Sequence, residues 1–551
     1  MKKYFTIFFI LFVFTSLTYS QNKMDVKASL NNLFRYGSGS ENNTSTEYAK
    51  EYFENITDAR LSVNDFVLGL RYEISDPIEY GLNFKGIKKR YAEYNNVKEG
   101  IDIRAGDFFN IVGRGMSLNV FEDRGLFYDT GIDGVKVAYN KSFGEKNPIK
   151  IKAQVFGGDI NYNDFLLPAR TETYKVRDGN FEITPVKYFT IGANYVYATG
   201  TITSLDLTTQ NNITASLPEG YLSLNLKNLQ LFSSYTHKHI STVPNPISQS
   251  ADGDGLYSSL SYSKSGFGVT LEYKNYRFDV VTPDVSNNST RPTKMLPFQN
   301  PPTVVKFHTS TLISRSPHIT DFNDEVGSQL DFIYAPNDKL TFNLNGSVAS
   351  KHYEYQNVGT YPKVVYARID RSASFLPSLS DAFNPWWEVY FESEYYATEK
   401  FYLKLAFSRQ NAVTYNQQFP LSSEKLLTTT IPTEFKYSLS SVYTLKLVAE
   451  QQWAHNSALS GDPDYMNQFV SLTLSKSPEL SATINTEFSN SNDDPSGRKN
   501  WISGELSYKL TPSNTITASY GNERGGYRCS SGICRYVYPF NGFRVMINSK
   551  F

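Results

Sequence analysis

The C-terminal stretch Asn541–Phe551 reads NGFRVMINSKF. In an extended chain Phe543, Val545, Ile547 and Phe551 lie on one face, and Arg544, Asn548 and Lys550 on the other. Successive strand side chains point to opposite sides, so the segment has one oily face and one polar face. As the free edge of a soluble sheet it would expose unpaired backbone groups and a greasy stripe, which invites aggregation. As the closing strand of a membrane-spanning barrel it has neither defect. Its edge pairs with the first strand and its apolar face meets lipid.

Composition agrees with that reading. The chain has 551 residues, 54 Lys plus Arg and 54 Asp plus Glu, hence no net charge. No basic excess points to nucleic acid and no acidic tail to a solvating segment. Forty Tyr and 38 Phe stand against 6 Met, 6 His, 4 Trp and 2 Cys. Aromatic richness with a mean hydropathy of −0.40 suits a barrel, because half of each strand faces water. The compositional competitor is an array of secreted β-sandwiches.

The N-terminus reads as an export signal spanning residues 1–20. Lys2 and Lys3 precede the apolar run Phe5–Leu17, and Thr18-Tyr19-Ser20 places small residues at −3 and −1 of a cut before Gln21. The run is short for a spanning helix, and after residue 20 no apolar stretch approaches that length. Residues 21–551 are therefore expected to form one domain.

That domain alternates almost throughout. Ile78–Phe84, Ile149–Val155 and Phe267–Tyr273 place apolar or aromatic residues at every second position, and Leu340–Val348, Trp387–Tyr395 and Leu480–Phe488 do so at all but one. Tight turns are expected at Asp76-Pro77, Phe143–Pro148, Lys227-Asn228, Lys264–Gly266, Ala335–Asp338 and Thr511–Ser513. Longer polar loops are expected at Tyr36–Asn55, Thr199–Pro218, Tyr276–Asp324, Gln356–Pro385 and Asn490–Asn500. Short turns alternating with long loops is the barrel pattern, with the short ones periplasmic. A sandwich array would repeat every ~100 residues, and no such period is present. Hairpin counting at about 9–11 residues per strand gives about 24 strands, in a range of roughly 18 to 26. Ile101–Phe121 is counted as two strands although Gly106 and Gly113 interrupt it. The expected fold is all-β: a single large antiparallel transmembrane β-barrel. Its last strand is expected to pair with Met24–Phe34; the alternative is that the first true strand is Leu61–Tyr72.

The C-terminal strand ending in Phe551 resembles that of outer-membrane β-barrel proteins. The resemblance implies that Phe551 belongs to an insertion signal read by the barrel-assembly machinery. It also implies that outer-membrane lipid is the surrounding partner.

Gly106–Gly134, GDFFNIVGRGMSLNVFEDRGLFYDTGIDG, is the most distinctive internal stretch. Its glycines do not sit between a strand and a helix, so a nucleotide-binding loop is a poor reading. Glycines within strands mark bends or close backbone approach, here a kink or inward fold. Asp107, Arg114, Glu122, Asp123 and Arg124 are candidates for a lumenal charge network, which in a barrel tunes selectivity or holds a plug. The segments GDFFNIVGRGMSLNVFEDR and RGGYRCSSGICRYVYP resemble an uncharacterised family of large outer-membrane β-barrels of Gram-negative, Bacteroidota-type bacteria. That resemblance covers the mature chain and carries no activity.

Cys529 and Cys534 lie in the last outer loop, and an exported protein favours their oxidation to a disulfide. Two cysteines alone make a poor zinc site. His237 and His239 share a strand face without a third ligand in view. No catalytic, cofactor or metal motif is found, so neither an enzyme nor a cofactor is expected. Six prolines within Tyr276–Asp324 exclude a missed hairpin there.

Two functions remain. One is a channel or porin-like pore for small polar solutes. The other is a non-transport surface scaffold or binding protein that presents its outer loops to a partner or glycan. A motor-coupled transporter usually carries an N-terminal plug domain, and strands here begin too early for one. N-terminal sequencing of protein from outer membranes is expected to start at Gln21 or within a residue or two. A retained Met1 would overturn the export reading.

Overall fold

The computed structural model describes residues 24–551 except 44–45, 146–147, 165–169, 204–209, 244–248, 279–295, 361, 416–421, 493 and 495. The export signal lies outside the described residues. The alternating segments pair into one 24-stranded antiparallel sheet. The last strand, Phe540–Lys550, runs antiparallel to the first, Val26–Asn43, from Asn31↔Lys550 to Glu41↔Phe540. Leu30 N–H donates to the Phe551 carbonyl (2.9 Å) and Phe551 N–H to the Leu30 carbonyl (2.8 Å). The sheet is thus a closed barrel. The expected partner Met24–Phe34 supplies only the lower part of the seam, which runs on through Arg35–Glu41. Leu61–Tyr72 is not the first strand. The Val63↔Phe66 hairpin turn divides it between strands Thr46–Val63 and Phe66–Ser75.

Exposure is inverted relative to a soluble protein. Leu68, Val135, Val155, Leu271, Leu330, Leu344, Leu472 and Ile484 point outward and stay exposed, Ile484 at 62%. Glu54, Glu73, Glu219, Glu388, Glu450 and Glu487 point inward and are buried. The outward set is the lipid belt. Near the tight-turn end it carries aromatic pairs such as Phe267–Phe332 (5.3 Å between centroids) and Phe401–Phe435 (4.9 Å), as barrel girdles do. Among the described residues no helix is long and apolar enough to cross a membrane. The strands do the crossing.

Hairpins turn tightly at Val186/Phe189, Lys264/Phe267, Asn337/Leu340 and Thr511/Asn514, at the end that also holds both termini of the sheet. Asp76-Pro77 is a correction: it lies at the opposite end. Residues 78–83 are not strand there but fold inward, where Glu79 meets Arg35 and Tyr80 meets Glu41. Tyr36–Asn55 and Thr199–Pro218 are also corrected. Much of each is strand, paired as Ser38↔Glu51 and Tyr197↔Ser216. Alternation is imposed only where one face meets lipid. Above the bilayer the outer face meets water and turns polar, so pairing continues in a sequence that reads as polar loop, while Ile202, Ile213, Ala215 and Leu217 still bury on the inner face. Finally, Ile101–Phe121 supplies one barrel strand, Ile101–Phe108, not two.

Ile484→Arg is expected to cost about 2–4 kcal/mol, because the charge enters hydrocarbon near the midplane, and the lumen-side Asn485→Arg far less. Reversible urea unfolding in lipid vesicles measures both. Equal costs would mean that Ile484 does not face lipid.

Candidate functional site

A sheet of this many strands encloses more space than wall side chains fill. Among the described residues, two long segments from the long-loop end fill most of it, beside the short inward fold 78–83. The first is 109–131. The strand before it ends at a kink, because Gly106 has φ +100° and an added Cβ would sit 2.1 Å from the Arg90 carbonyl oxygen. The chain then leaves the wall as a small hairpin, Asn110–Ile111 against Asn119–Val120. Val112, Met116, Leu118 and Val120 bury against the inward-facing Ile132, Phe156, Val176, Val196 and Leu217. This is a soluble-type apolar core inside a membrane barrel. At its tip Ser117 N–H donates to Glu219 (3.1 Å).

The second segment, 296–323, docks on the first through backbone-directed bonds. Asn119 N–H donates to the Phe298 carbonyl (2.8 Å), Asn119 Nδ2 to the Asn300 carbonyl (3.0 Å) and Asn300 Nδ2 to the Asn119 carbonyl (2.8 Å). It then crosses the lumen, held by acids of the far wall. Lys306 pairs with Asp331 (3.2 Å) and His308 Nε2 lies 2.9 Å from Glu388. Glu450 accepts from Ser310 Oγ (2.7 Å), Thr311 N–H (2.9 Å) and Leu312 N–H (2.7 Å). Those amides start the one-turn helix Thr311–Ser314, whose N–H groups have no partner within the helix. Arg315 pairs with Glu487. Glu388, Glu450 and Glu487 are at most 6% exposed. Burying a carboxylate is tolerated only where it is paired or fully hydrogen-bonded, and the crossing segment supplies those partners.

The last outer loop closes over this strap. Cys529 and Cys534 are bonded across the hairpin Gly526–Ser530/Ile533–Val537. Its turn residue Gly532 (φ +79°) packs so close to Phe322 that an added Cβ would lie 2.2 Å from the ring. At the base of the loop Arg524 bonds Glu487 (3.0 Å) and Asp494 (3.0 Å).

The residues singled out for a lumenal charge network are dispersed. Glu122 meets Arg71 (2.7 Å), Lys89 (3.3 Å) and Arg124 (3.4 Å), and Arg124 reaches Glu73 (3.3 Å). Burial pushes the Glu122 carboxyl up, but Lys89, Arg71 and Arg124 outweigh it and hold the group below its ordinary value. Asp123 instead accepts from Leu126 N–H (3.2 Å), capping the turn Arg124–Leu126. The Arg114 guanidinium lies 5.3 Å over the Phe232 ring. Asp107 stands apart, accepting from Arg90 N–H (2.6 Å) beside the half-exposed Arg90–Asp133 pair. Arg71, Lys89 and Glu73, which complete the Glu122 cluster, were not singled out. Their only signal was charge on the inward parity of a strand.

Below the plug two cavities open toward the tight-turn end. One of about 340 Å³ is lined by Asp58, Arg60, Arg71, Lys89 and Arg104, with Phe109 in its roof. One of about 490 Å³ is lined by Asp102, Lys152, Gln154 and Glu182, with Ile111–Gly113 in its roof. His237 and His239 lie elsewhere, paired with Asp254 (2.9 Å) and Asp252 (2.7 Å) on exposed surface. Among the described residues no group of three or more His, Cys, Asp or Glu is placed to hold a metal ion.

The model of a family of unknown function, DUF6029, matches residues 1–551. No curated protein matches the chain. Among solved structures, the copper transporter OprC is similar at 10% identity and a TM-score of 0.43, over 96% of this chain and 80% of that one. The siderophore receptor PirA from Pseudomonas aeruginosa gives 8% and 0.42 over 95% and 80%. The FrpB iron transporter from Neisseria meningitidis gives 9% and 0.42 over 95% and 83%.

Glu450→Ala removes three acceptor contacts and orphans two helix-start N–H groups, each worth about 1–3 kcal/mol when buried. Hydrogen exchange in 303–318 is expected to rise by at least tenfold, with the barrel strands unchanged. Unchanged exchange in that segment would show that Glu450 does not hold it.

Proposed function

We propose, for a chain that belongs along its whole length to the DUF6029 family, that it is a gated outer-membrane conduit for small polar solutes, closed by its own inserted segments. The observation that carries the reading is how the plug is attached. Strand partners Arg277 and Asp324 are already paired at the root of the crossing loop. Displacing 296–323 therefore breaks side-chain and loop bonds and leaves every barrel ladder intact. The same holds for 109–131, whose flanking residues Phe108 and Ile132 are paired.

The space below the plug supports a polar cargo. Its walls carry charges of both signs in pairs: Lys136–Asp102 (3.1 Å), Lys152–Glu182 (2.6 Å) and Arg104–Glu93 (3.1 Å). Such a lining replaces part of a solute's hydration without favouring one sign. Delivery through a signal cleaved before Gln21, and insertion through the strand ending at Phe551, belong to the same reading.

Planar-bilayer recordings test it. The purified protein is expected to pass only brief, small currents. A variant with 109–131 and 296–323 each replaced by a short Gly-Ser turn is expected to conduct steadily, with heat-modifiable gel mobility confirming the barrel. A folded variant that does not conduct would return the chain to the surface-scaffold reading. Steady conductance by the unaltered protein would make it an ungated pore.

A further inference from the structure

One outer loop does not fold inward or stand free. In the loop that follows the strand Leu340–Ser350, residues 370–375 lie against the outside of the wall. The wall residues they meet, Tyr273, Asn275 and Arg277, alternate with the inward-pointing Lys274 and Tyr276, which contact the plug at Thr303 and Pro302. They therefore share the outward face of Leu271. Tyr273 Oη donates to the Phe375 carbonyl (2.7 Å) and Asn275 Nδ2 to the Ser374 carbonyl (3.2 Å). Arg277 pairs with Asp370 (2.9 Å). Ser378 N–H donates to Ser350 Oγ (2.9 Å), and Arg371 Nη2 to the Leu376 carbonyl (2.6 Å).

These bonds give partners to the carbonyls of Ser374, Phe375 and Leu376 and to the Ser378 N–H, while the apolar side chains of the segment turn away from the protein. Phe375 is 62% exposed, Leu376 57% and Leu379 67%. In water that combination is costly and unexplained; soluble surfaces rarely gather large apolar side chains in one short segment. At a bilayer boundary it is what the solvent selects, since backbone groups there need internal partners and apolar side chains do not. The patch also continues an apolar surface. Leu271, Leu330 and Leu344, on neighbouring strands of the same outward face, are 47%, 46% and 45% exposed.

We infer that Phe375, Leu376 and Leu379 form a wedge seated in the outer-leaflet lipid of the membrane that holds the barrel, at the acyl-chain boundary. The strand residues that hold the wedge mark its depth. Tyr273 stands six positions above the tight-turn residue Phe267, about 20 Å along the strand. With a barrel tilt of about 35–45° that is a rise of about 15 Å, past the middle of a ~25 Å apolar band and so in its outer half, and Arg277, four positions further on, reaches the outer boundary. The loop thereby ties the lipid surface to the strands Phe267–Arg277 and Asp324–Asn337, which flank the root of the plug loop.

The test uses the full chain with single substitutions Phe375→Cys, Leu376→Cys and Leu379→Cys. Each is labelled without reductant by an environment-sensitive fluorophore and reconstituted in phosphatidylcholine vesicles with brominated acyl chains. Leu330→Cys serves as the lipid-belt reference and Ser460→Cys as the water reference, with gel mobility confirming folding. Quenching of at least two of the three probes to half or more of the Leu330 reference is expected, with blue-shifted emission. Quenching no greater than at Ser460 for two or more probes would overturn the inference. So would blue-shifted emission that appears only when envelope proteins are added, which would assign the patch to a protein partner.

Discussion

Hydrocarbon offers a backbone no hydrogen-bond partner, and an unpaired N–H or C=O there costs several kcal/mol. The seam between Phe540–Lys550 and Val26–Asn43 answers that constraint. With it, no strand has an open edge at membrane depth. Both ends of the sheet meet at one end of the barrel, and the hairpins between them fall into place as 24 antiparallel strands. The inverted exposure follows too. Residues such as Ile484 and Leu330 stay bare because lipid is their solvent. Glu388 and Glu450 are buried because the lumen is the protein's interior.

Closure at this size creates a second problem, an interior too wide for the wall to fill. The chain fills it with two of its own loops, and with two kinds of packing. Beside strands Ile132–Phe143 to Phe267–Arg277 the plug is an apolar core, with Met116, Leu118 and Phe298 buried. On the far wall it is held by carboxylates at Glu388, Glu450 and Glu487, each meeting a donor on the crossing strap. An apolar core resists water over its whole area. The strap side is mainly ionic, with only a small apolar contact of Ile313 against Tyr390 and Ala406. The arrangement is asymmetric, mainly apolar on one side and mainly ionic on the other. The disulfide hairpin rests on the ionic side, against Phe322.

Membrane class, barrel architecture and the closing strand were legible in the sequence because they rest on a period of two. Lipid on one side and polar lumen on the other impose that period wherever the chain crosses the bilayer. Even the departures are consistent with this cause. Where the outer face meets water instead of lipid, at Ser38–Asn43 and Thr199–Thr203, the outward positions turn polar and the strands read as loops, although Glu41 and Ile202 stay buried on the inner face. Where a turn occupies only Asn64–Asp65, the alternation merely changes phase, from Leu61 and Val63 to Phe66, Leu68 and Leu70, and the turn is easily read through. The bend at Gly106 and the cysteine pair were legible because glycine and cysteine have chemistry that needs no partner from afar.

The contacts that close the lumen had no such local mark. Asn119 meets Asn300, Glu450 meets Thr311 and Leu312, and Tyr273 meets Phe375 across more than a hundred residues of sequence or nearly so. Of the five charges singled out in Gly106–Gly134, only Glu122 and Arg124 joined one cluster, because their partners Arg71, Lys89 and Glu73 come from neighbouring strands. Sequence alone determined that this chain crosses a membrane as a closed sheet, since each strand records the solvent on its own two faces. Which loops turn into the lumen, and which one turns out toward lipid, was decided only by the tertiary structure. Those choices depend on side chains that meet after the barrel has closed, and no short-range pattern in the chain encodes a meeting at that distance.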